Sequence, residues 1–477
     1  MNLVEPHIAS LFGVHLPQRL ALFLTLAFMV FLFRRDIREK PDVSGALWLP
    51  VLSLVLTCSR AVTEWLNIFG LPVSGGVSLE EGSRVDALFW SVMIIAGFCV
   101  LVRRQVRLSV IVSNNGWLIV FLLYCLISIA WSDFPFVAFK RWIKILNHPI
   151  MALIVLTEPD LEEALKRLMK RCAYVIVPVS ILFIKYYPNL GRRYDPWTGF
   201  QMVCGIHVGK NGLGADCMIL GFFFFWYWLQ TRQTERNIQR RNELRLIFGF
   251  LIAIWWLLSQ AHSATSFISL VIGILVVIFV GIRPKNRNFI GTYLVTALLL
   301  LVIAELAFGI SGHLSEALGR GSGLSGRKEL WTDLLGLHTN PIFGVGFESF
   351  WLGDERLKQL HEGRGFQPNE AHNGYLEIYL TLGLVGVFLV IAMFIATFWK
   401  IRLNLFRTFE WGRYRLGFLA TVILYNWTEA AFKTLNPIWF VFCLIAMDYP
   451  RTYLATAQPS LRPGRPEESS ELAYAQE

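Results

Sequence analysis

Apolar residues recur in runs of roughly 15 to 25 along nearly the whole chain, the length a ~30 Å hydrocarbon layer demands of a helix. The pattern predicts about 13 spans: 18–33, 46–69, 86–102, 112–131, 142–157, 172–187, 211–229, 246–260, 264–282, 290–310, 374–399, 416–428 and 435–448. The period-two alternation of a membrane barrel is absent. The fold class expected is therefore all-α, a polytopic transmembrane helical bundle of 12 to 13 spans. One connection stands apart, about 63 residues from Ser311 to Asn373. Loops of that length are uncommon unless functional or separately structured. Within it, Leu330, Leu334 and Leu337 fall at helical spacing in 326–337. Phe347, Phe350, Trp351 and Leu357 do the same in 347–360, so two short amphipathic helices are expected. The domains predicted are an N-terminal bundle 1–310, a large external loop 311–373, C-terminal helices 374–450 and a disordered polar tail 451–477.

Polar positions give the orientation. The clusters "RRDIREK" (34–40), "RRQVR" (103–107), "KRLMKR" (166–171), "RQTERNIQRRNELR" (232–245), "RPKNR" (283–287) and "KIRLNLFRTFEWGRYR" (400–415) fall on one side of the predicted spans. The positive-inside rule makes that side, with the C-terminal tail, cytoplasmic. The opposite side receives 70–85, 132–141, 188–210, 261–263, 311–373 and 429–434.

Composition sharpens this in two respects. The 477 residues are 55% hydrophobic and 16% charged with a formal charge of +10, which in such a chain reflects topology rather than nucleic-acid binding. The seven cysteines are scattered without a CxxC or Cys/His cluster, so a zinc or iron–sulfur centre is not expected. No cofactor is expected, and the N-terminus lacks the pattern of a removed signal peptide. No GxxxxGK[ST] or Gly-rich strand-to-helix turn occurs, which argues against nucleotide-driven transport.

Candidate chemistry gathers on the external side, in four patches. They are Lys140 and Arg141 at 139–144; Arg192, Arg193, His207, Lys210 and Asn211 at 191–214; Arg320, Arg327 and Lys328 at 319–331; and Glu370, His372 and Asn373. Cations from separate loops on a face where the positive-inside rule depletes them point to an anionic ligand. Guanidinium groups match phosphate oxygens in a planar fork. His207 and His262 read as hydrogen-bonded residues at helix ends, and most boundary aromatics as an interfacial belt. His372 stands where a helix begins. The field there favours an anion and disfavours imidazolium, so a neutral imidazole able to accept a proton is expected. The external face shows no clustered acidic pair or DxD-like run, so arginines rather than a divalent metal are expected to carry leaving-group charge.

At these residues the chain resembles the O-antigen ligase/O-antigen polymerase superfamily. The carriers are "NPIFGVGFESFW" (340–351), "EAHNGYLEIYLTLGLVG" (370–386), "GKNGLG" (209–214) and "SGRKELW" (325–331), an ordered set over about 180 residues. "SLEEGSRVDALFW" (78–90) further resembles exopolysaccharide polymerases of the ExoQ type. The resemblance implies a GT-C-like inner-membrane glycosyltransferase, active at the periplasmic face on an undecaprenyl-diphosphate-linked glycan donor. The acceptor would be a lipid-linked repeat unit or lipid A-core, with chain-length regulator and export proteins as further partners. Carried over by motif, Arg327 binds the pyrophosphate and His372 assists acceptor attack. Lys210, with Asn211 beside it, takes the upstream basic position, and Arg141 is a weaker match. Asn373, Glu370 and Glu377 are candidates for substrate binding or for orienting His372. The upstream motif usually reads His-Lys-Asn, whereas here Gly209 precedes Lys210 and His207 lies two residues before that glycine. The polymerase is the first reading, the ligase the second, a protein O-oligosaccharyltransferase the third. A lipid-linked-oligosaccharide flippase or other transporter is the rival class. It would require broken helices or polar residues near the midplane.

Overall fold

The structure, a computed structural model, describes residues 16–39, 42–71, 83–194, 199–282, 325–337, 339–353, 357–358, 360 and 368–450. The expected span 290–310, residues 311–324 of the long connection with Arg320, its stretches 354–356 and 361–367, and the tail 451–477 lie outside them, as do the side chains of Ser325, Gly326 and Lys328. The rest is overwhelmingly helical. In chain order the helices are α1 (Gln18–Arg38), α2 (Trp48–Thr57), α3 (Val62–Ile68), α4 (Arg84–Arg103), α5 (Leu108–Asn114), α6 (Gly116–Ile127), α7 (Pro135–Ile145), α8 (Asn147–Leu156), α9 (Leu161–Tyr186), α10 (Pro188–Gly191), α11 (Lys210–Thr231), α12 (Ile238–Ala261), α13 (Ala264–Ile282), α14 (Ser325–Gly336), α15 (Gly374–Arg407), α16 (Phe409–Thr428) and α17 (Pro437–Ala446). Five of them, α4, α11, α12, α13 and α15, are long and apolar enough to cross a membrane. Two bent pairs, Gly45–Thr57 with Val62–Ile68 (75°) and Leu108–Asn114 with Gly116–Trp131 (99°), would raise that to seven. The protein is thus a polytopic helical membrane protein. A short two-stranded antiparallel hairpin absent from the expected pattern, Arg192–Tyr194 against Gln201–Val203, precedes α11.

Helix starts follow from local side chains. Ser83, Asp160, Asn237, Asn373 and Asn436 each accept backbone N–H groups of the first turn, and Pro437 sits at the first helical position of α17. One predicted loop is overturned. "KRLMKR" is not a solvated cytoplasmic segment but lies within α9, with Arg167, Lys170 and Arg171 buried. Its charges are tolerable because acids from α1 and α12 meet them: Arg167 and Arg171 bind the two oxygens of buried Asp36 (2.7 and 2.8 Å), and Lys170 binds Glu243 (2.7 Å).

Of the two helices expected in the long connection 311–373, one is present among the described residues. α14 is a helix that buries Leu330 and Leu334 in a small core with Val345, Phe350 and Ala371. The second amphipathic helix does not form over 347–353, which is a run of turns. Its backbone visits the left-handed region at Gly346, Glu348 and Gly353 (φ +99°, +46° and +80°), which a helix cannot accommodate. Nor is α15 continuous. Gly383 (φ +64°, ψ −164°) breaks it after a nine-residue opening segment, 374–382. Residues 341–346 enter that break. The N–H groups of Val345 and Gly346 bond the carbonyls of Leu380 and Thr381 (3.2 and 2.8 Å). The N–H groups of Leu384 and Val385 bond Pro341 and Ile342 (2.9 and 3.2 Å), and Tyr124 Oη donates to Leu382 O (3.0 Å). The two backbones approach so closely that a Cβ on Gly383 would lie 2.2 Å from Ile342 O, and one on Gly344 2.4 Å from Thr381. "GVG" and "TLGLVG" are therefore two halves of one backbone junction.

Candidate functional site

The opening turn of α15 carries the site. Asn373 caps the helix, its Oδ1 accepting from Tyr375 and Leu376 N–H (3.0 and 3.1 Å). His372, just before the cap, is held in the left-handed region (φ +48°). Its flanks are clamped: Trp331 Nε1 donates to Ala371 O (2.8 Å), and Gly374 N donates to Glu429 O (3.0 Å). Glu377, one turn into the helix and buried, accepts from Ala371 N (3.1 Å) and Trp351 Nε1 (2.6 Å). Such strain persists where surroundings over-determine it, which is common at functional sites.

Around His372 three chain segments meet. Its Nδ1 lies 2.9 Å from Glu370 Oε1 and 3.4 Å from Glu429 Oε2. Glu429 also receives Asn211 Nδ2 (3.0 Å) and Arg327 Nη2 (3.2 Å), while Arg327 Nη1 donates to Thr428 O (2.6 Å). Lys433 pairs with Glu370 (2.9 Å) and stands 3.7 Å from Glu377. Three cationic side chains thus interleave with three carboxyl groups, Glu429 at the centre. His372 Nε2 has no partner among the described residues, and the side chain is 33% exposed.

This geometry reverses the expected protonation of His372. Desolvation opposes its charge, but the hydrogen bonds and fields of Glu370 and Glu429 outweigh desolvation and the helix terminus, raising the imidazole from 6.5 to about 9. At neutral pH it is imidazolium. Glu370 is desolvated, which alone would raise it, yet His372 and Lys433 hold it well below the usual carboxylate range.

Two other expectations change. Glu370 and Glu429 form an acidic pair, contributed by loops 59 positions apart, which no sequence run reveals. With His372 they place ligand atoms within 4.8 Å of one another, a spacing a metal ion can use. The donor set fits a metal poorly, because Glu370 is already neutralised by Lys433 and Glu429 by Arg327. The remaining candidates divide. Asn211 joins the cluster directly. Lys210, beside it at the start of α11, has no ion pair among the described residues. Arg141 is one step removed: its Nη1 donates to Glu348 O (2.6 Å), and Glu348 accepts from Thr434 N (2.5 Å), next to Lys433. Arg193 faces Glu64 (3.9 Å), and His262 is the left-handed cap of α12. His207 is no substitute for the displaced motif histidine. Its ring packs on Gly212, its Nδ1 accepts from Val208 N (2.9 Å), and burial with Arg60 nearby holds it down at about 4.

Glu429 and Lys433 were not among the residues singled out from sequence. Their signal was present in "TEAAFKTLN" (428–436), two opposite charges in the short turn between the last two helices. The family model Wzy_C, described as O-Antigen ligase, matches residues 246–391, which include Arg327, Glu370, His372 and Glu377. Over those residues the chain is similar to the O-antigen ligase/polymerase family. It is 25% identical over 295 residues to "Exopolysaccharide production protein ExoQ" of Rhizobium meliloti (strain 1021), covering 59% of this chain and 64% of that relative, less than two thirds of its length. The motif residues Gly344 and Gly383 build the backbone junction, whereas Asn211, Arg327 and His372 converge on Glu429.

Proposed function

We propose that this protein polymerises glycan repeat units carried on undecaprenyl diphosphate, at the periplasmic face of a bacterial inner membrane. The observation that carries the reading is the convergence of Arg327, His372 and Lys433 at one helix N-terminus, beside a helix long enough to reach across a bilayer. A diphosphate on a lipid arrives at such a boundary, where the Arg327 fork and the Nε2–H of His372 can hydrogen-bond its oxygens. The charged state of His372 favours a role in stabilising and orienting over one as a neutral base. In the proposed reaction a hydroxyl of the acceptor sugar attacks the anomeric carbon of the donor from the opposite face. The bond from carbon to the diphosphate oxygen breaks, and the diphosphate leaves with its electron pair beside Arg327 and His372 Nε2–H. The hydroxyl proton passes to Glu429, the carboxylate at the centre of the cluster. The transfer inverts the anomeric centre and needs no metal.

The broken helix α15 bears on the transporter alternative. A transporter leaves unwound carbonyls facing a cavity. Here the carbonyls of Leu380, Thr381 and Leu382 are all taken, by residues 345–346 and Tyr124. The family description keeps ligation as a second reading. Supplying purified protein in vesicles with the lipid-linked repeat unit, with and without lipid A-core, separates them. Longer glycan on the lipid carrier alone supports polymerisation. Glycan on the core supports ligation, and an unaltered donor that merely changes leaflet supports transport.

A further inference from the structure

α11 runs about 30 Å from Asn211 to Thr231, at 1.5 Å per residue. At its far end from the His372 cluster lies a cavity of about 1060 Å³, bounded by the ends of α1 and α11 and the beginnings of α9 and α12. Six cations line it, Arg34, Arg35, Arg38, Lys166, Arg167 and Arg240, against three carboxylates, Glu39, Glu163 and Glu243, a net of +3. All three acids are already engaged. Glu39 and Glu163 each lie 2.6 Å from Arg167, and Glu243 binds Arg35 and Lys170. By contrast, Arg34, Arg38 and Lys166 have no ion pair among the described residues, and Arg240 reaches only the carbonyls of Thr231 and Arg232 (3.2 and 2.8 Å). Four cations therefore line the cavity without a carboxylate ion pair among the described residues, Lys166 standing also in the field of Glu410. Beside them, one to two turns along α1, its wall becomes apolar at Ala27, Val30 and Phe31. Val30 and Phe31 are 49% and 61% exposed, so this wall continues into the outer surface of α1.

We infer that this cleft binds an anionic glycerophospholipid of the adjoining leaflet, its phosphate among Arg34, Arg38, Lys166 and Arg240 and an acyl chain along Val30 and Phe31. The charge surplus selects an anion. The apolar wall, contiguous with the lipid-facing side of α1, selects a lipid over a free phosphate ion. The bound lipid bridges α1 and α12, and ligand binding to the folded state alone raises stability.

The test uses the full chain purified in detergent and native mass spectrometry, with phosphatidylglycerol, phosphatidylcholine and inorganic phosphate as probes. Arg34→Gln/Arg38→Gln/Arg240→Gln removes three of the four cations and spares the paired Arg35 and Arg167. Arg103→Gln/Arg402→Gln/Arg407→Gln removes the same charge elsewhere. The wild type and the second variant should retain phosphatidylglycerol over phosphatidylcholine, and the cleft variant should bind it roughly 10- to 100-fold more weakly. Should the triple variant fold poorly, Arg34→Gln alone, at an exposed position, should still weaken retention several-fold. Equal phosphatidylglycerol binding by the cleft and control variants overturns the inference. So does equal retention of phosphatidylcholine, or displacement of the lipid by millimolar inorganic phosphate.

Discussion

Replacing Glu370 by Gln removes the nearer of the two carboxylates that hold the His372 proton, at 2.9 Å against 3.4 Å for Glu429. The rise of His372 from 6.5 to about 9 corresponds to roughly 3 kcal/mol of preference for imidazolium. The side chain is 33% exposed, and solvent screening reduces the usable part to about 1–2 kcal/mol. The sign follows from the raised value. The stabilisation is complete below the unfolded pKa near 6.5 and is lost as pH rises through about 9. Loss of one carboxylate should lower the His372 midpoint by roughly one to two pH units. Lys433 keeps Glu377 as a neighbour, so the cluster is not emptied of partners. The assay is the thermal unfolding temperature of purified protein from pH 6 to 10, run beside the rate of glycan transfer. The wild type should lose stability and activity together near pH 9, and Glu370→Gln at correspondingly lower pH. An unmoved alkaline limb would refute the carboxylate-held imidazolium. Activity that climbs towards pH 9 would restore the neutral-base role.

Other substitutions probe separate links. Arg327→Ala should lower kcat/KM by about 100- to 1,000-fold, as removal of a charge-stabilising donor does, and Arg327→Lys should recover only part because it lacks the fork. Arg141→Gln, which touches Glu348 rather than the cluster, should cost less than about tenfold in the same assay, and an effect as large as that of Arg327→Ala would place it among the reacting groups. Gly383→Ala should destabilise by roughly 2–4 kcal/mol and reduce the monodisperse yield in size-exclusion chromatography, since its Cβ meets Ile342 O at φ +64°. Gly249→Ala, with open space around its Cβ, is the comparison that should fold normally. Transfer should survive exhaustive chelation; loss of activity restored by a divalent ion would reassign Glu370, His372 and Glu429 as metal ligands.

The helices and the site's long-range members were legible to different degrees. Hydrophobic runs located most helices because a membrane imposes length and apolarity locally, and Asn373 announced a helix start in its own sequence. What periodicity missed was tertiary. "KRLMKR" resembles a solvated loop until Asp36 and Glu243 arrive from other helices to neutralise it. Gly383 sits inside an uninterrupted apolar run, and its break depends on residues 341–346 entering it. His372 and Arg327 were visible through motifs. Glu429 and Lys433 were not, because two ordinary charges in a six-residue turn gain meaning only when Asn211, Arg327 and Glu370 close around them. That closure also explains why the local helix-terminus argument gave the wrong charge for His372: the nearby carboxylates exceed the field of one helix end.

The most direct measurement of the central claim is the stoichiometry of transfer by purified protein reconstituted with an undecaprenyl-diphosphate-linked repeat unit, in the absence of nucleotide and metal. The account predicts one undecaprenyl diphosphate released for each repeat unit added to a growing lipid-linked chain, with release slowed about 100-fold or more in His372→Ala and Arg327→Ala protein that still inserts into the membrane. Lengthened glycan from either variant at the wild-type rate, or wild-type protein that leaves the donor intact, would contradict it.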